Sequence, residues 1–146
     1  MTTHEETTPV LVGAGQISAR EPDTERTPIG LVAEAARAAA ADCGVAGVLG
    51  QIQSLTCLNI LAPSYSDAPS TLARHLGIDP GERFYTPIGG NMGQWLVGYY
   101  ADRIAAGGLD CILIAGGEAL ATQMRGKGAG LSGVLDTATG EGPRLL

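Results

Sequence analysis

The sequence predicts an α/β fold built on a doubly wound sheet, and three observations carry that reading. Short apolar runs suited to strands alternate with longer stretches whose apolar residues recur at spacings of three and four. The helical stretches are bracketed by recognisable start and stop residues. Of the 146 residues, 45% are hydrophobic and 16% charged, against about 25% charged in an ordinary domain, which favours a buried core over a disordered chain.

In chain order, residues 1–8 read as a polar tail. Val10 to Ala14 is a short apolar run closed by Gly13 and Gly15, a first strand. After a polar loop through Glu21, Pro22 and Asp23, Thr27-Pro28 opens a helix with a hydroxyl cap and a proline at its first position. Ile29, Val32, Ala36, Ala39 and Cys43 form its apolar stripe, and Gly44 stops it. Ser54 to Leu61 is a second strand, and Asp67 caps a short helix that ends at Gly77. Arg83 to Thr86 is a third strand. The chain then turns through Pro87, Gly89 and Gly90 into a helix from Met92 to Ala106, with Asn91 as cap and Gln94 placed to complete a capping box. Gly107 and Gly108 end that helix, and Leu109 to Ala115 is a continuously apolar strand covered on both faces. Thr122 to Leu146 reads as a glycine-rich loop excursion, after which a complete fold would return to the sheet.

Several function classes are excluded. A net charge of −6 with 4% aromatic residues offers neither the basic patch nor the stacking rings of a nucleic-acid binder. The acidic start lacks the basic and apolar regions of a signal peptide, and no segment reaches the ~20 apolar residues of a membrane span, so the chain reads as cytoplasmic. Cys43, Cys57 and Cys111 have no CxxC spacing and read as buried thiols, with no disulfide frame or metal site. His4 lies in the polar tail and His75 on a short helix, both without a partner motif. Gly13-Ala14-Gly15 has part of a dinucleotide fingerprint, but Ser18 stands where its third glycine belongs.

The strand, glycine-rich turn and helix at Tyr85 to Ala106 can do chemistry on physical grounds alone. A helix start presents unpaired N–H groups and partial positive charge, and Gly89, Gly90 and Gly93 let another group approach the backbone. Such a place can stabilise a thiolate, an oxyanion or a phosphate. It can equally be a tight connection whose glycines serve packing.

PVLVGAGQ at the start, ARHLGI before the third strand, and GGNMGQ…ADRIAAGGLDCILIAGGE resemble the first half of the thiolase superfamily, acetyl-CoA acetyltransferases and sterol-carrier-protein-linked relatives. The likeness covers residues 9–120 and is densest over Tyr85 to Leu120, leaving 121–146 as the start of an incomplete excursion. It implies a layered thiolase-like α/β fold, of which this chain would carry an N-terminal βαβαβαβ portion. In that family a cysteine begins the helix within Cys-x-x-Gly, and its thiolate takes the acyl group. Aligning on Gly93 puts Gly90 at that position; aligning on Ala115-Gly116-Gly117 puts Asn91 there. Neither residue can form an acyl-enzyme.

The resemblance implies an acyl-CoA-binding protein of the acyltransferase or carbon–carbon bond-forming and -cleaving class in lipid metabolism, without a covalent cysteine of its own. Gly90, Asn91, Met92 and Gly93 are its substrate or oxyanion candidates, and Arg125 and Lys127 its candidates for the phosphates of coenzyme A. No tightly bound cofactor or metal is expected; a coenzyme A ester is the substrate or ligand. Thiolases pair through their third strand, here Arg83 to Thr86, which implies a homodimer, or a heteromer with a chain that supplies the missing half. Two further readings stand beside this one: a non-catalytic acyl-CoA or lipid-binding subunit of a thiolase-like complex, and a part of a longer enzyme. The residues leave open whether the chain catalyses anything.

Overall fold

The computed structural model describes residues 8–19, 21, 26–61, 65–125 and 144–145, with 123–125 and 144–145 described by their backbone. Four parallel strands lie in the order β3-β1-β2-β4: β1 (Ser54–Cys57), β2 (Glu82–Tyr85), β3 (Ile112–Ala115) and β4 (Arg144–Leu145). The helices are α1 (Pro28–Cys43), α2 (Ala68–Leu76), α3 (Met92–Ala105) and α4 (Leu120–Arg125), and a 3₁₀ turn at Val48–Gln51 leads into β1.

The register explains the layering. Leu55 pairs with Arg83 and Leu113, and Cys57 with Tyr85 and Ala115. Alternation along a strand therefore sends these residues to one face and Ser54, Thr56, Ile112 and Ile114 to the other. The first face buries Leu55, Cys57 and Tyr85 against Ile29, Val32 and Ala33 of α1 and Leu72 and Ala73 of α2. The second packs Ile112 and Ile114 beneath Leu96 and Tyr100 of α3, with Leu109. Helices on both faces make the doubly wound arrangement that the alternating pattern predicts.

Local signals place α1 and α2 well. Thr27 Oγ1 accepts from Gly30 N–H at 3.1 Å, and α1 ends at Gly44 with φ +71°. Asp67 Oδ1 accepts from Ser70 N–H at 3.0 Å, and α2 ends at Gly77 with φ +69°. Both stops use the left-handed conformation that glycine adopts without steric penalty.

Other expectations are corrected. Val10 to Ala14 is not a strand: Val10 and Leu11 are 71% and 86% exposed, and the run has no strand partner among the described residues. It lies along α1 instead. Ala14 N–H donates to Asp42 Oδ2 at 2.9 Å, and a Cβ on Gly15 would stand 2.2 Å from Ala35 O. These glycines serve a close crossing of chain over helix, and the dinucleotide reading loses its basis. The strand expected over Ser54 to Leu61 ends at Cys57, because the next four residues are drawn into contacts with neighbouring loops. Leu109 to Ala115 narrows to β3, since the backbone N–H groups of Asp110 and Cys111 both donate to Gln53 Oε1. The excursion after Thr122 contains part of α4, and the chain does return to the sheet, as β4 beside Phe84 and Tyr85. Of the three thiols only Cys57 is buried; Cys43 and Cys111 are half-exposed.

Among the described residues no helix is long and apolar enough to cross a membrane, and no group of His, Cys, Asp or Glu is arranged to hold a metal ion.

Candidate functional site

In parallel sheets with helices on both faces, ligands bind where loops leave the carboxyl ends of the strands. Here three such loops converge, and the segment after β1 ties them together. Leu58 N–H donates to Ala115 O at 2.8 Å, joining it to the end of β3. On the other side Thr86 N–H donates to Cys57 O at 3.1 Å. Asn59 then grips Thr86 twice, its N–H donating to Thr86 Oγ1 at 3.0 Å and its Nδ2 to Thr86 O at 3.2 Å. Ile60 N–H donates to the Tyr85 hydroxyl at 3.0 Å, and Leu61 N–H to Glu118 Oε1 at 2.6 Å. Leu58 is wedged between the two outer loops: a Cβ on Gly116 would stand 2.8 Å from its Cβ, and one on Gly93 would stand 3.8 Å from its Cδ2.

The glycine turn into α3 sits on this rim. Gly89, Gly90 and Asn91 are exposed, while Met92 and Gly93 are half-buried. Met92 N–H donates to Gly89 O at 3.1 Å, closing the turn, and Trp95 N–H donates to Asn91 O at 3.0 Å. The expected capping box is absent. Asn91 has helical angles, φ −91° and ψ −5°, and makes no side-chain cap bond. A cap needs an extended backbone to aim its oxygen into the first turn. Asn91 Oδ1 instead faces back, 3.2 Å from where a Cβ on Gly89 would stand. The N–H groups of Gly93 and Gln94 therefore take no backbone or side-chain acceptor among the described residues.

No thiol reaches this turn. Cys57 is 0% exposed on the α1/α2 face, and burial pushes its pKa up to about 12. Cys111 precedes β3, at the amino end of the sheet, where its carbonyl accepts from Gln53 N–H. Burial chiefly, with the neighbouring Cys43 and Asp110 adding to it, holds its pKa above the usual thiol range.

A cavity of about 370 Å3 opens beside the rim, between α1, residues 15–19 and the start of α4. Gly116, Gly117 and Glu118 line it, and Gly90 to Gly93 do not. A second, of about 360 Å3, lies between the start of α1 and α2, lined by Arg26, Glu34, Tyr65 and His75. Lys127 lies outside the described residues, as do the side chain of Arg125 and His4. Asn59 and Thr86 gave no signal in the sequence; 27 positions separate them, and only the pairing of β1 with β2 brings them together.

No family model and no curated protein matches the chain. Among solved structures, the crystal structure of a monomeric SCP2-thiolase like protein type 1 from Mycobacterium smegmatis matches it with a TM-score of 0.67 at 34% sequence identity. The match covers 76% of this chain and 23% of that one, so the chain spans about a quarter of that relative's length. The fold of this chain is thiolase-like.

Proposed function

We propose that the chain binds a coenzyme A ester at the carboxyl rim of its sheet, with the thioester oxygen held by the start of α3, and forms no acyl-enzyme of its own. The observation that supports this most is the uncapped turn at Gly89 to Gly93, where the N–H groups of Gly93 and Gln94 have no acceptor among the described residues, in a fold shared with an SCP2-thiolase-like protein. Two N–H groups beside the positive end of a helix suit the partial charge of a thioester or enolate oxygen. Gly90 and Asn91 occupy the nucleophile position in the two alignments, and neither carries a thiol. Acyl transfer or carbon–carbon bond chemistry then needs its base from another group. Arg125 and Lys127 are the proposed contacts to the coenzyme A phosphates.

The acting species in this reading is a dimer or heteromer. Edge pairing through β2 requires β4 to leave Phe84 and Tyr85, and light scattering tests it: a stable monomer that binds acyl-CoA unaided removes this part. Calorimetry with acetoacetyl-CoA tests the central claim, for which heat of binding is expected and its absence at millimolar ligand counts against it. Intact-mass spectrometry after incubation with acetyl-CoA is expected to show no adduct. A stable acyl group on any cysteine would overturn the non-covalent reading.

A further inference from the structure

The side of α3 that faces the sheet rests on two fully buried residues, Leu96 at 0% and Tyr100 at 1% exposure. Leu96 meets apolar neighbours, and such a contact has no preferred direction, so it resists lifting of the helix more than sliding or rolling. Tyr100 differs. Its hydroxyl lies 2.8 Å from Ser54 Oγ and 2.5 Å from Thr56 Oγ1, two groups on the same face of the central strand. All three side chains are buried, and no buried side-chain polar atom among the described residues lacks a partner. Two hydrogen bonds at one phenol oxygen, at most one of them donated by it, reach two points 2 residues apart on β1 and so set both the axial position and the roll of the helix. The third tie, Arg103 to both carboxylate oxygens of Glu82 at 2.7 and 2.9 Å, acts at the far end of α3 and near solvent.

We propose that Tyr100, through Ser54 and Thr56, is a positioning residue that holds the N–H groups of Gly93 and Gln94 at the carboxyl rim. This rests on the coenzyme A ester reading for its ligand. A conserved-volume apolar set could fill the same space equally well. Beyond satisfying three buried hydroxyls, the directional bonds fix where the helix sits, which an apolar set would not.

The test separates stability from placement. Tyr100→Phe alone leaves Ser54 and Thr56 short of a partner in the core, so it lowers Tm whichever view holds. The triple variant Tyr100→Phe, Ser54→Ala, Thr56→Val removes all three hydroxyls and leaves none unpaired, so its Tm is expected to return close to that of the parent. Two readouts are then compared with the parent: calorimetric affinity for acetoacetyl-CoA, and hydrogen exchange of the amides at 92–96 without ligand. Positioning predicts that the triple variant binds about tenfold more weakly despite its recovered Tm, and that its helix start exchanges faster. Parent-like affinity in the triple variant overturns the proposal. Should the parent itself bind no ester, the coenzyme A reading fails and exchange alone decides: faster exchange at 92–96 supports the positioning role, and unchanged exchange overturns it.

Discussion

Alkylation of the three cysteines tests the claim that the chain holds no covalent catalyst. At pH 8 an ordinary cysteine is about one quarter thiolate, whereas a thiol with its pKa at about 12 is about one part in ten thousand thiolate. Cys57 is also closed off beneath α1 and α2 at 0% exposure. Iodoacetamide at pH 8, followed by peptide mass spectrometry, should therefore modify Cys43 and Cys111 while Cys57 stays unlabelled for at least about a thousandfold longer. In denaturant all three should react alike. The same burial has a pH consequence. Above pH ~9 an unfolded chain releases the Cys57 proton and the folded chain keeps it, so the folded state binds more protons and stability falls as pH rises. The loss amounts to at most about 1.4 kcal/mol per pH unit until the folded pKa is passed, and it is absent below pH ~8. Native-state labelling of Cys57 at a rate within tenfold of Cys43 would refute both the burial and the inference drawn from it.

Three further outcomes are expected. Asn91→Ala should change stability by less than about 0.5 kcal/mol in urea unfolding, because no cap bond is lost, whereas Asp67→Ala should cost about 1 kcal/mol; equal costs would restore the capping box. Gly15→Ala forces a Cβ to within 2.2 Å of Ala35 O, which should cost about 1–3 kcal/mol and open residues 8–19 to proteolysis, and resistance equal to the parent's would count against the close crossing on α1. A Cβ at Gly90 meets nothing within 4 Å, so Gly90→Cys should fold normally, and the helix start should hold its thiol about one unit below the ordinary 8.5. Labelling of that thiol between pH 6 and 9 measures the shift, and a midpoint above 8.5 would deny this turn its positive potential.

The elements that were legible in the sequence are those whose signals are local. Thr27-Pro28, Gly44, Asp67 and Gly77 act within one helical turn, and each bounds the helix where expected. What failed depended on contacts between distant parts. Val10 to Val12 has the composition of a strand, but strand formation needs a neighbouring strand, and the two glycines after it commit the chain to the back of α1. Asn91 and Gln94 match the capping box in type and spacing, yet the turn closed by Gly89 O and Met92 N–H begins before Asn91 and turns its backbone helical. Ser54, Thr56 and Tyr100 are ordinary residues at their own positions, and their network exists only because α3 crosses β1.

The same division separates the frame of the site from its workings. The glycine turn, α3 and Ala115-Gly116-Gly117 were readable as one unit, and the structure does bring the start of α3 and the Gly116 loop together at one end of the sheet, with Gly93 and Gly116 both packed on Leu58. The bonds and contacts that tie them together come from residues 58–61, which carry no motif. Asn59 fixes the entry to the turn through Thr86, and Glu118 fixes the loop after β3 through Leu61. A thiol at the start of α3 would need only the helix dipole, a property of one element. In the proposed reading the thioester oxygen is held without a thiol, so its stabilisation rests on N–H groups placed where that oxygen will be, and misplacement is not repaid by a covalent bond. On that reading Asn59, Thr86 and Tyr100 matter because their hydrogen bonds connect the helix start to β1, the central strand of the sheet.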